Sequence, residues 1–302
     1  PALRRGNVVG ALSVGLAPAD ADHDALATLT AAAEGRIELL ILLGADPLND
    51  CPDADLARRA MAGARRILSI DTFACESTQH ADVVLAASAY GEKAGTTTNL
   101  EGRVTTLAQQ VTATGTSRPD WMIAVELGLM IGAHSFGADH PLRGVSTVDD
   151  VTALVAATVP GFAAVTLDAL RDEPNGVLSA PHQAALGEVS FSAPGRNSYD
   201  YRLVVSRKLY DRAVGTQMSR SLINLAPGSA VHVHPLDLDS LGVSDGDDVK
   251  IVSAKAASVL PIAANNRVPR GVVWSPFNQG GGTIEDIVDG GAATTDVRIE
   301  RL

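Results

Sequence analysis

Cysteine is scarce in this chain: Cys51 and Cys75 are the whole complement of 302 residues, and they form no Cys-x-x-Cys pair. An iron–sulfur cluster draws on four thiolates, so this sequence does not hold one alone. The two thiols read as free and buried rather than as a disulfide. No apolar run reaches the ~18 residues of a membrane span. A signal peptide with a basic start and an apolar core is also missing, and the first residue is Pro1, not Met. The expectation is a piece of a longer cytoplasmic polypeptide whose front is missing. Basic residues are too few to balance the acids, and the net charge is −11. That excludes nucleic acid and anionic membrane surfaces as direct partners.

What is present suffices for two domains, at 46% hydrophobic and 20% charged residues. Ile37–Leu43 is a near-continuous apolar run, the pattern of a parallel strand covered on both faces. It ends at the turn signal Gly44-Ala45-Asp46-Pro47. Residues 53–66 read as a helix, with acids in front and Arg65 and Arg66 behind, as the helix dipole favours. Ile67–Ile70 and Val83–Leu85 are further buried strands, with a short helical piece between them. This alternation predicts right-handed βαβ units. Asp120 is placed as the N-cap of a helix over Trp121–Ile131, and Ser146 and Asp149 mark another start before Val151–Ala157.

From Pro174 to Asn197 the pattern dissolves among Pro174, Gly176, Pro181, Pro194 and Gly195. Beyond it come short β-rich segments: Arg202–Ser206, Ala230–His234, Val249–Ser253, Ser258–Ala263 and Gly271–Trp274. The expected organisation is an α/β domain at 1–174, a linker at 175–198 and an all-β barrel at 199–302.

The most informative stretch runs from His80-Ala81-Asp82-Val83-Val84-Leu85 through Glu92 and Lys93 to Ala94-Gly95-Thr96-Thr97-Thr98-Asn99-Leu100-Glu101-Gly102-Arg103. Physically it is a strand followed by a Gly/Thr/Asn loop, in which Gly95 permits unusual dihedrals and Asn99 can bond its own backbone. In open α/β sheets such loops sit at the ligand-binding ends of strands. The order of these residues resembles the molybdopterin oxidoreductase family. His234-Pro235-Leu236-Asp237 and Leu241–Val249, preceded by the Gly215–Arg220 loop, are similar to the dinucleotide-binding barrel that closes such proteins. The resemblance implies an open parallel-sheet (Rossmann-like) α/β domain followed by a double-psi type barrel.

In that family the turns after the strands reach a pterin dinucleotide, and Gly44, Asp46 and Asp71 stand in the corresponding places. The family usually has Asn at the position of Asp46, and often Pro at that of Ala86. An acid at 46 faces phosphate with the wrong sign. Aromatic residues for stacking are few, at 4%. Asp46–Asp53 and Arg118–Ala124 resemble the G-type subunits of bacterial NADH-quinone oxidoreductase (respiratory complex I), in an actinobacterial flavour from the Ala- and Asp-rich usage. That resemblance implies a carboxyl-terminal region that keeps the molybdoenzyme fold without its metal. It also implies iron–sulfur clusters (4Fe-4S and 2Fe-2S) in an amino-terminal part, and other hydrophilic-arm subunits as partners on the cytoplasmic side of the membrane. The alternative is a fragment of a formate-dehydrogenase-like or nitrate-reductase-like catalytic subunit.

No catalytic or metal-ligating residue is assigned. Gly44, Asp46, Asp71, His80, Gly95, Asn99, Glu101 and Arg103 are carried as vestigial loop positions, with His80 read as a capping or packing histidine. Glu92, Glu101 and Arg103 are read as an ion-pair set fixing the loop's entry and exit. His232 and His234 are two apart, so a strand would put them on one face, but no third metal ligand stands at a usable spacing. Gly280-Gly281-Gly282 lacks the Lys-Ser/Thr of a P-loop and reads as a barrel loop. Ser88 and Ser219 lack a nucleophile-elbow context.

Overall fold

The structure is a computed structural model that describes residues 13–15, 23–180, 195, 199–281 and 283–302. The described residues form two compact units, neither of them contiguous in sequence. One holds 13–15, 23–24, 69–72 and 83–180; the other holds 25–68, 73–82, 195, 199–281 and 283–302.

Strands β1 (Leu40–Leu43), β2 (Ile67–Asp71) and β3 (Val83–Ala86) form a three-stranded sheet in the order β1-β2-β3. The helix Ala54–Gly63 stands between β1 and β2, as the βαβ reading expects. Its N-cap is Asp53, whose carboxylate accepts the Leu56 amide at 2.9 Å. Leu56, Ala57 and Ala60 bury one stripe of it against Leu29 and Ala32 of the helix Ala25–Ala33. Gly63 makes that approach possible: a Cβ there would stand 2.3 Å from the Ala32 carbonyl oxygen.

Two strand expectations need correction. Strand β1 begins at Leu40, not Ile37, and it is covered on one face only: Leu40 and Leu42 are buried while Ile41 and Leu43 are 49% and 56% exposed. Strand β3 is likewise no buried strand, since Val83 and Val84 are about half exposed. A continuous apolar run is the pattern of two covered faces, and among the described residues β1 has one.

The Gly/Thr/Asn loop is also corrected, because it is a hairpin. Strand β4 (Gly95–Thr98) pairs antiparallel with β5 (Arg103–Leu107), Thr98 facing Val104. Gly95 lies in the ladder with no positive φ; the residue that needs glycine is Gly102, at φ +80° in the turn. Strand β6 (Val177–Leu178) pairs with β5, so the first part of the expected linker is structure. Residues 181–194 and 196–198 lie outside the described residues. Behind this sheet Val104, Phe162, Val165 and Leu170 form a small core. The helix Asp120–Phe136 is longer than expected, and Val148–Thr158 starts from a Thr147 cap.

The carboxyl-terminal part is a closed barrel of six strands in the order β10-β8-β11-β7-β12-β9. These are β7 (Tyr201–Arg207), β8 (Val231–Val233), β9 (Asp248–Val252), β10 (Ala257–Ala264), β11 (Val272–Phe277) and β12 (Thr295–Arg301). Strand β11 runs parallel to β7, and β8 parallel to β10. Alternation fills the interior: Val231, Val233, Val249, Ile251, Leu260, Ile262, Val273 and Val297 are fully buried, with Ile284 and Ile287 from the loop before β12. The Asp245-Gly246-Asp247 turn is pinned to β10, the Gly246 amide donating to Ile262 and the Ala264 amide to Asp245. The Gly215–Arg220 loop contains most of a short helix, Val214–Gln217.

Within this unit the buried Asp53 carboxylate also accepts from the Gly290 amide at 3.1 Å and from the Lys255 ammonium. Burial pushes the Asp53 carboxyl up. Lys255 and the Leu56 and Gly290 amides outweigh it and hold the group below its ordinary value. A depressed pKa stabilises the fold above the unfolded carboxylate value of about 4, and that stabilisation is lost as pH falls through the folded value. Lys255→Met strips the ammonium from a buried carboxylate and is expected to cost ~3–5 kcal/mol in urea unfolding. Asp53→Asn should flatten the acid limb of the stability–pH curve; an unchanged limb would show that the pair contributes nothing.

Candidate functional site

Gly44 and Asp46 occupy the turn after β1, with Gly44 at φ +56°. Asp46 is 3% exposed and points inward. Its carboxylate accepts the Ser77 amide at 3.1 Å, the Ser77 hydroxyl at 2.5 Å and the Asn49 side-chain amide at 2.7 Å. Its backbone carbonyl accepts the Asn49 and Asp50 amides that open the short helix Pro47–Asp50, and Ser77 Oγ in turn accepts the Leu48 amide. The carboxylate therefore ties the first residue of the short helix Ser77–His80 to the Asn49 side chain of the helix Pro47–Asp50. Ser77 is the partner that sequence reasoning misses, 31 residues away, with no local signal to mark it.

Asp71 ends β2, where its carbonyl accepts the Ala87 amide at 2.9 Å. His80 closes the short helix Ser77–His80 and is exposed. Asn99 does what its type suggests, its side-chain oxygen accepting the Glu101 and Arg103 amides at 2.9 Å each. Glu101 and Arg103 pair at 3.5 Å on the surface, and Arg103 also donates to the Gly176 carbonyl at 3.0 Å. Glu92 is not part of an ion pair with Arg103; it accepts the Ala89 amide at 2.9 Å and the Thr114 hydroxyl at 3.1 Å. Lys93 instead pairs with Asp120 at 2.8 Å. These contacts set the hairpin's shape.

Among the described residues no three His, Cys, Asp or Glu side chains converge as a metal site. His232 and His234 separate: His232 lies in β8, while His234 Nδ1 accepts the Leu236 amide as cap of the helix Pro235–Leu241. Burial first, and then the Lys208 ammonium, push the His232 imidazole below its ordinary value, against Asp245. Cys51 and Cys75 are both buried and are not joined in a disulfide, and burial raises the Cys51 thiol. Ser88 is fully buried, and the Ser219 hydroxyl lies 3.2 Å from that of Ser221. Gly282 lies outside the described residues.

Two family patterns match: Molybdopterin oxidoreductase over residues 2–129 and Molydopterin dinucleotide binding domain over 201–298, together about three quarters of the chain. The chain belongs to the molybdopterin oxidoreductase family. It is 27% identical over 288 residues to NADPH-Fe(3+) oxidoreductase subunit alpha of Geobacter sulfurreducens, a match that covers 94% of this chain and 32% of that protein. It is 28% identical to the second G-type subunit of the NADH-quinone oxidoreductase of Rhizobium meliloti, over 86% of this chain and 30% of that one. Formate dehydrogenase and assimilatory nitrate reductase subunits match in the same range. The chain thus spans about a third of the length of its first relatives. The fold matches acetylene hydratase from Pelobacter acetylenicus with a TM-score of 0.64 at 14% identity, over 83% of this chain and 38% of that one.

The cofactor implied by the second domain's description carries phosphates, and the turn after β1 does not suit one. Its donors at Ser77 and Asn49 are already taken, and the group holding them is a buried carboxylate of the phosphate's own sign.

Asp46→Ala leaves the Ser77 amide and hydroxyl without their acceptor and is expected to cost ~2–3 kcal/mol in denaturant unfolding. Glu101→Ala breaks only an exposed pair and should cost less than ~0.5 kcal/mol. If Glu101→Ala proves the more damaging, the two carboxylates have the opposite roles.

Proposed function

We propose that this chain is the carboxyl-terminal, non-catalytic region of a G-type subunit in the peripheral arm of a proton-pumping NADH:quinone oxidoreductase. It braces the part of the subunit that carries 4Fe-4S and 2Fe-2S clusters. Electrons pass from NADH through flavin and those clusters to quinone, and none passes through this region. Its partners are other hydrophilic-arm subunits on the cytoplasmic side of the membrane, and no helix of the described residues is long and apolar enough to cross that membrane.

The observation that carries this reading is Asp46. A catalytic relative needs a turn open to its cofactor, and here that turn is closed by its own carboxylate. Similarity to the Rhizobium meliloti subunit supports it. So does the apolar surface: Leu39, Ile41, Leu43, Val83, Val84, Met130 and Ile131 are all exposed, as suits a piece that packs inside an assembly. The second reading, a fragment of a formate-dehydrogenase-like or nitrate-reductase-like catalytic subunit, is favoured by the relatives that bear those names.

A tagged copy expressed in its own cell is expected to bring down peripheral-arm subunits with NADH-oxidising activity, and to carry neither molybdenum nor pterin. Stoichiometric molybdenum or an extractable guanine nucleotide would decide for the catalytic fragment. Recovery of the chain alone, with an activity of its own, would refute both.

A further inference from the structure

The outer face of the barrel carries a cavity of about 380 Å³ that the proposed role does not use, lined by Lys208, Tyr210, Leu225, Gly228, His232 and Pro276 among others. Alternation sets its floor. Val231 and Val233 are fully buried inside the barrel, so His232 between them points out into the cavity; Trp274, between the buried Val273 and Ser275, points out beside it, next to His232 and under Lys208. The two face each other across β8 and β11, with ring centroids 4.7 Å apart. The Lys208 ammonium lies 4.4 Å over the Trp274 ring and has no carboxylate partner among the described residues.

The rims of this cavity are fixed by one buried side chain. Gln279, 5% exposed, donates to the Tyr210 carbonyl at 3.2 Å and accepts the Gly228 amide at 3.2 Å. The residue before it, Asn278, is held at φ +54°, a left-handed conformation that non-glycine residues seldom take. Its amide donates to Glu285 at 2.6 Å, its carbonyl accepts the Arg212 amide at 2.8 Å, and its buried Nδ2 has no partner. Strain of this kind persists where surrounding contacts over-determine it, and it gathers at sites built to hold a shape. Here it turns the Gln279 amide to span both rims.

We propose that this cavity binds a small organic anion with a ring-sized apolar body, an aromatic carboxylate. The acid group pairs with Lys208, and the ring packs between His232 and the Leu225 and Pro276 walls. A volume near 380 Å³ lies within the range of small-molecule sites. Apolar walls with a single unpaired cation select an anion that is otherwise hydrophobic.

Benzoate and its neutral isostere benzamide test this by NMR titration of the full chain, reading the indole N–H resonance of Trp274 with that of Trp121 as internal control. Benzoate should shift Trp274 saturably and leave Trp121 unmoved, and benzamide should bind about tenfold more weakly or worse. Lys208→Met should bring benzoate down to the affinity of benzamide, while Lys208→Arg should retain it. Equal responses to the two probes, parallel shifts of both tryptophans, no saturable shift, or full benzoate affinity in Lys208→Met would each overturn the proposal. None of these outcomes bears on whether the chain works within a respiratory assembly.

Discussion

A buried carboxylate has to find as many donors as water would have given it, and Asp53 finds them in three places. The Leu56 amide makes it a helix cap, the Gly290 amide ties it to the loop before β12, and Lys255 neutralises it from the loop between β9 and β10. One side chain thereby fixes the helix Ala54–Gly63 to the barrel. Two exposed or half-buried pairs, Arg58 with Asp286 and Arg207 with Asp50, run alongside it. They are worth less, because water competes for them. Remove the central pair and the barrel keeps its own core of valines and isoleucines while the amino-terminal segment loses its anchor.

Asp46 solves a similar problem in a different way. Its donors all come from the two short helices beside the turn, and none from the barrel. The turn is thus complete in itself. The charge that holds the Ser77 and Asn49 donors in place is covalently part of the chain.

Much of this fold is legible in the sequence, and the failures have physical causes. Five of the six barrel strands are legible because alternation such as Val231-His232-Val233 is a local signal. Strand β12 escapes notice because Arg298, Glu300 and Arg301 crowd its alternation with charge. The apolar run at Ile37–Leu43 suggests a doubly covered strand, since sequence reports hydrophobicity and not which face has a neighbour. Asn99 and the helix caps are readable because their bonds span a few residues. Ser77, Lys255 and Gln279 are not: their bonds to Asp46, Asp53 and Gly228 span 31, 202 and 51 residues. Gly95 attracts the freedom that Gly102 uses, because spacing alone does not say which glycine stands at the turn.

The interleaving of the two compact units has a kinetic side. Residues 25–68 are made early in synthesis, yet Asp53 finds Lys255 only 202 residues later. Closing a loop of that length is entropically costly and slow compared with forming a helix or a hairpin, so this unit has high contact order and is completed last. The unit made of the β4–β5–β6 sheet and its helices is encoded between those halves and can fold while they wait. Until the barrel emerges, the helix Ala54–Gly63 lacks the ammonium that neutralises its cap. A truncation placed between residues 180 and 199 would therefore not release two folding units; it would cut one of them in two.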